Sequence, residues 1–182
     1  MPDTLAQPLQ RWHDFYILSG TAAATLVGLM FVAISLASRL ITERSRPALQ
    51  VFVHPTLIHF IYVLVLASVV MVPTLTRRPL GVLLVLVGLL SFANALRMVP
   101  YMRQQQREQE TDRADWVDWV WYLIVPSVSY LLFVGAGIGL LLGINRALDI
   151  LAIASILLLV NGIRNAWDMV VWIAMKTESS PQ

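Results

Sequence analysis

The chain has 182 residues, of which 58% are apolar and 13% are charged, with a formal net charge of +2 and no cysteine. Soluble domains carry about 25% charged residues, so this chain lacks the polar surface that a soluble enzyme or a nucleic-acid-binding domain needs. Without cysteine, disulfides, thiolate metal sites and cysteine nucleophiles are excluded.

Long stretches with almost no charge predict an all-α fold, a polytopic integral membrane protein with a bundle of five transmembrane helices. A span needs about 20 mostly apolar residues, and continuously apolar segments favour helices over the alternating strands of a barrel. The whole chain, 1–182, is predicted to be a single transmembrane domain. Its helices are expected at about 15–40, 51–72, 79–99, 117–143 and 147–175.

Two features interrupt this pattern. A polar stretch at about 100–115 is predicted to be a cytoplasmic loop, and the alternative is an extension of the third helix into water. Pro126 lies inside the fourth span, where the missing backbone N–H predicts a kink. The first apolar stretch is too long for a cleaved signal peptide, so we interpret it as a retained helix.

The distribution of basic residues predicts the orientation. Five spans place the two termini on opposite sides of the membrane, and more basic residues fall on one side than on the other. One side has Arg11, Arg77, Arg78 and Arg146, and the other has Arg39, Arg44, Arg46, Arg97, Arg103, Arg107, Arg113 and Lys176. Because basic loops stay in the cytoplasm, we expect the N-terminus outside and the C-terminus in the cytoplasm, in a plasma or inner membrane.

The fifth span contains a polar stripe. Asn161, Arg164, Asn165 and Asp168 recur at helical spacing and share one face, and Arg164 can pair with Asp168 one turn away. One interpretation is that the stripe lines a conduit or binding pocket, with Arg164 contacting an anion or another solute. The other is that Arg164 extends to the cytoplasmic surface beside Trp167.

Polar residues of three other helices lie toward the same half of the membrane. His59, Asn94 and Tyr130 are therefore predicted to form a polar vestibule with Asn161 and Arg164. A proton relay is one role for His59, and a hydrogen bond to a neighbouring helix is the simpler one. No metal site, cofactor or catalytic set is predicted from the sequence.

Small residues recur every fourth position in two helices. Gly20, Ala24 and Gly28 form one row, and Gly135, Gly139 and Gly143 form the other. Such rows let helix backbones approach closely, so we predict that both rows lie at helix contacts. The stretches GTAAATLVG and NGIRNAW resemble segments of bacterial membrane proteins in general, and this resemblance implies no particular function.

Three functions follow from these features. The favoured hypothesis is a small homo-oligomeric channel or transporter-like protein in the lipid bilayer, which passes an ion or small solute along the polar stripe. The alternative is a membrane scaffold or sensor that acts through the 100–115 loop without transport. An intramembrane or lipid-modifying enzyme is disfavoured because acid–base groups are sparse, and His59 with Asp118 or Asp168 would be its best pair.

Overall fold

A computed structural model describes residues 6–37, 46–108, 119–144 and 146–178 of the protein. These residues form five helices and contain no strand. The helices are α1 (Ala6–Ala37), α2 (Arg46–Val70), α3 (Arg77–Glu108), α4 (Val125–Leu141) and α5 (Ala147–Glu178), and a π-helical turn, Val120–Ile124, leads into α4. The all-helical fold predicted from the sequence is therefore confirmed.

Four helices are long and apolar enough to cross a membrane. Their candidate spans are Gln10–Ser35, Arg77–Arg97, Val120–Leu141 and Ala147–Val171. The apolar part of α2, Thr56–Val70, is shorter than these. The multi-pass character of the chain is thus supported by four of the five predicted spans, whereas a count of five is not reached among the described residues.

The outer faces of the helices are apolar. Leu18, Phe31, Leu90 and Leu142 each expose 70% or more of their surface, and exposed large apolar side chains are present on all five helices. Water-soluble monomers rarely expose contiguous apolar patches of large extent. The bundle therefore has the surface that hydrocarbon, and not water, would solvate.

The third helix is longer than the sequence predicted. The structure continues α3 through Pro100 to Glu108, so the first part of the expected 100–115 loop is helical, as in the alternative interpretation. The rest of that loop, from residue 109, lies outside the described residues. Proline is tolerated within long apolar helices because local adjustments can satisfy the carbonyl that loses its donor.

The sequence predicted a kink at Pro126, and the structure has a π-helical turn, Val120–Ile124, just before this proline. Pro126 is in the first turn of α4, where a missing N–H costs least. Just before it, the N–H of Val125 bonds the carbonyl of Val120, five residues back. This wider turn holds the backbone over Val120–Ile124 and places Trp121 toward α5.

Glycines bring α3 and α4 into close contact. A Cβ atom added to Gly137 of α4 would lie 2.6 Å from the carbonyl oxygen of Gly81 in α3. One added to Gly88 would lie 2.8 Å from the carbonyl oxygen of Tyr130. Gly81 and Gly88 are seven residues apart and so share a helix face, but these glycines are not in the rows predicted from the sequence.

The two predicted small-residue rows are only partly at helix contacts. A Cβ on Gly20 would lie 2.9 Å from Cβ of Ala67 in α2, and one on Gly139 would lie 3.1 Å from Cβ of Ala147 in α5. Ala24 is exposed, and no described atom outside the local helix lies within 4 Å of a Cβ built on Gly28 or Gly135. Gly143 is in the turn after α4, with a φ of 73°.

The largest buried apolar cluster fills the half of the bundle that lies toward the turns following α2 and α4. Its members are buried side chains of all five helices, including Tyr16, Val63, Leu84, Phe133 and Leu151. α5 packs on α2 and α4, and α1 packs on α2. The polar residues of α5 therefore lie beyond this apolar half, toward the opposite end of the bundle.

Candidate functional site

A polar cluster lies between α2, α4 and α5 near the middle of the bundle. At about 1.5 Å per residue, His59 is roughly 16 Å from the end of α2 at Val70, and Asn161 is roughly 21 Å from the start of α5 at Ala147. A hydrocarbon layer is about 30 Å thick. The cluster is therefore at a depth where no headgroup or bulk water would reach it through lipid.

The centre of the cluster is a contact between α2 and α5. Nδ2 of Asn161 lies 3.2 Å from Nδ1 of His59, and both side chains are buried. When the Asn161 amide donates this hydrogen bond, Nδ1 accepts and the imidazole carries its proton on Nε2. The hydrogen bond thus joins two helices that the sequence separates by 102 residues.

The residue after Asn161 explains how the two helices come this close. A Cβ atom on Gly162 would lie 2.5 Å from Cε1 of Phe60, which is the residue after His59. Since only glycine leaves room for the Phe60 ring, the Asn161–Gly162 pair positions α5 so that the asparagine reaches the histidine. Asn161 was predicted from the sequence as a site residue, whereas the role of Gly162 was not.

Aromatic side chains extend the cluster toward α3 and α4. The rings of His59 and Tyr130 have centroids 6.4 Å apart, and Tyr130 meets Tyr62 edge to face at 5.9 Å. The hydroxyl of Tyr62 is 2.7 Å from Oγ of Ser91 in α3. Tyr62 was missed from the sequence, although Thr56, His59 and Tyr62 recur every third residue and mark one polar face of α2.

Asn165 lies one turn beyond Asn161 and is also fully buried. Among the described residues, neither Nδ2 nor Oδ1 of Asn165 has a hydrogen-bond partner, and Oδ1 of Asn161 lacks one as well. Leaving a buried polar group unpaired costs about 1–3 kcal/mol. These three atoms, within one helical turn, are half of the six buried polar side-chain atoms that lack a partner among the described residues.

The other half of the polar stripe is at the surface. Nε of Arg164 is 3.3 Å from Oδ2 of Asp168, without the geometry of a hydrogen bond, and the two side chains are 41% and 32% exposed. The guanidinium carbon of Arg164 lies 5.9 Å from the centroid of the Trp121 ring. The stripe thus divides into buried asparagines and a partly exposed ion pair, and the aromatic ring facing Arg164 is Trp121.

Two other predicted site residues lie apart from the cluster. Asn94 is exposed on α3, outside the buried polar layer. Asp168 contacts Arg164 and not His59, and Asp118 lies outside the described residues. The histidine is therefore not paired with an acid among the residues that the structure describes.

The described residues contain no group of three histidine, aspartate or glutamate side chains placed to hold a metal ion. Comparison of the chain with protein-family models, with curated proteins and with solved structures found no match. The polar cluster is therefore the basis for assigning a function.

Proposed function

We propose that the protein is a small homo-oligomeric channel or transporter-like membrane protein, and that its polar cluster forms part of the solute pathway. The observation that carries this proposal is the pair of fully buried asparagines with three unpartnered polar atoms, at roughly 21 Å (Asn161) and 27 Å (Asn165) along α5. Polar groups at that depth are costly and usually belong to a pathway or a binding site.

We place part of the pathway between copies of the chain, because α5 has buried asparagines on one part of its polar stripe and a partly exposed ion pair on the other. The apolar cluster fills the other half of the bundle, so a continuous route through one chain has no polar lining there. The Arg164–Asp168 ion pair is partly exposed and lies roughly 26 to 32 Å along α5, at the edge of a hydrocarbon layer of about 30 Å. A second copy could cover this ion pair, and the route past the fully buried asparagines of each chain would then open at the interface between the copies.

We further propose five spans, with the N-terminus outside and the C-terminus in the cytoplasm of a bacterial inner membrane. α2 has 25 residues, which corresponds to roughly 37 Å, enough to cross a hydrocarbon layer. With five spans, Arg77, Arg78 and Arg146 lie on the outer side, and the more basic loops lie inside.

The test uses the natural lack of cysteine. Single cysteines at 161 and 165 are compared with cysteines at 160 and 163, which lie at the same depth on the exposed face of α5. A small hydrophilic thiol reagent, added to sealed vesicles, is expected to label 161 and 165 and to leave 160 and 163 unlabelled. No labelling at 161 and 165, or equal labelling of all four, would contradict a water-filled pathway.

A scaffold or sensor is the second candidate function, and the length of α3 favours it. The helix continues from Arg97 to Glu108, which extends it by roughly 16 Å, and the last six residues of this extension, 103–108, are all polar. If the protein is a scaffold or sensor, replacing 101–108 by a Gly-Ser sequence should abolish crosslinking to a partner protein in cells. If it is a channel or transporter, the same replacement should leave solute flux unchanged.

A further inference from the structure

The unpartnered atoms of the two asparagines include both donors and acceptors. Oδ1 of Asn161 and Oδ1 of Asn165 accept hydrogen bonds, and Nδ2 of Asn165 donates two. A bare cation would leave the amide N–H groups without a partner, and a halide would leave both oxygens without one. A molecule that donates and accepts satisfies all three atoms.

Among the described residues, no unpaired charge lies near the two asparagines to act as a counterion for a bound ion. The segments of α2 and α4 that pack against α5, 56–70 and 125–141, contain no Asp, Glu, Lys or Arg. On α5 itself, Arg164 is balanced by Asp168 at 3.3 Å. Among the described residues, an ion at the asparagines would therefore lose its hydration without meeting an opposite charge that is not already paired.

The spacing of the two side chains limits the size of the ligand. Residues four apart on a helix have Cβ atoms about 5–6 Å apart, so a molecule of one to four heavy atoms reaches both amides at once. His59 holds the Asn161 amide from the other side through its Nδ1 atom. The Asn161 oxygen is thereby fixed as one acceptor of the site.

We infer that Asn161 and Asn165 bind a small neutral molecule that both donates and accepts hydrogen bonds, of the size range from water to urea. This inference deepens the proposed function, and it depends on that function for the route by which the molecule reaches the site. It assigns selectivity for neutral solutes over ions to two carboxamides on α5, and it gives Arg164 no direct role in solute binding.

The binding test uses the small number of asparagines, which are Asn94, Asn145, Asn161 and Asn165. In protein labelled with ¹⁵N only at asparagine and held in nanodiscs, urea is expected to shift the side-chain amide signals of Asn161 and Asn165 saturably. The exposed Asn94 is the internal control and should shift only in proportion to concentration. Sodium chloride at equal concentration should cause no saturable shift. Saturation by the salt and not by urea would overturn the inference, as would the absence of saturation with either.

The transport test compares neutral solutes with ions in the same proteoliposomes. Water and urea permeability is expected to be several-fold above that of empty liposomes, and to fall to the empty level in Asn165→Leu, while sodium, potassium and chloride flux stays at the empty level. Ion flux that depends on Asn165, without neutral flux, would overturn the inference and leave the proposed pathway in place. If neither solutes nor ions cross, the proposed function fails, and the urea titration alone decides whether the binding site exists.

Discussion

Nη1 of Arg77 donates a hydrogen bond of 3.2 Å to the carbonyl oxygen of Gly143. Arg77 begins α3, and Gly143 follows α4 with a φ of 73°. This hydrogen bond joins the turn before α3 to the turn after α4, so both turns lie at the same end of the bundle. The same arrangement is required if α2 and α4 run in one direction, as five successive spans demand.

The left-handed backbone of Gly143 gives the first prediction. Alanine at this position adopts a positive φ at a cost of about 1–2 kcal/mol, so Gly143→Ala should lower the thermal unfolding midpoint in detergent. Gly135→Ala is the matched control, because it lies within α4 and no described atom outside the local helix is within 4 Å of its added Cβ. An equal change in both variants would contradict the role of the turn.

The contact between α3 and α4 gives the second prediction. A methyl group on Gly137 would meet the carbonyl oxygen of Gly81 at 2.6 Å, which the backbone can relieve only by separating the helices. We expect Gly137→Ala to destabilise the protein by about 1–3 kcal/mol, as overpacking does in other cores. The measurement is the thermal unfolding midpoint, monitored by the loss of the folded peak in size-exclusion chromatography after heating, again with Gly135→Ala as control. A variant as stable as the control would show that the helices are not in close contact.

The hydrogen bond between Asn161 and His59 gives the third prediction. Side-chain hydrogen bonds between membrane helices have coupling energies of about 0.6 kcal/mol on average and up to about 1.7. A double-mutant cycle with Asn161→Leu and His59→Leu should give a coupling in that range. Ser155 bonds the carbonyl of Leu151 within its own helix, so a cycle of Ser155→Ala with His59→Leu should give none.

Burial of Asn165 without a partner gives the fourth prediction. Leucine has nearly the same size and leaves no polar atom unpaired, and replacing an unsatisfied buried group by an apolar one is neutral or stabilising. Asn165→Leu should therefore raise the thermal unfolding midpoint while it abolishes solute flux. Such a gain in stability with a loss of activity is typical of functional sites. The exposed Asn94 is the control, and Asn94→Leu should leave flux unchanged. A strong loss of stability in Asn165→Leu would show that its amide has a partner within the protein.

The helices were predictable because charge-free stretches and the length of a membrane span together set their approximate bounds. The extension of α3 to Glu108 was predicted only as the alternative to a loop, since hydropathy does not distinguish a polar helix from a polar loop. The sequence also placed Asn161 and Asn165 on one face with Arg164 and Asp168. It did not show that the asparagines are buried and the ion pair is partly exposed, because that depends on how neighbouring helices cover the face.

The position of Trp121 beneath Arg164 gives the last prediction. A guanidinium over an indole ring contributes about 0.5–2 kcal/mol, and Trp121 belongs to the π-helical turn that leads into α4. Trp121→Leu should therefore lower the unfolding midpoint, and the loss should shrink when Arg164 is already replaced by leucine. Trp167 is the control, because it is 65% exposed on α5 and Trp167→Leu should show no such coupling.

Arg164 contacts the Trp121 ring and pairs with Asp168. We therefore expect Arg164→Lys to lower the thermal unfolding midpoint without changing the selectivity for neutral solutes. A change of selectivity in Arg164→Lys would instead place the guanidinium in the solute pathway.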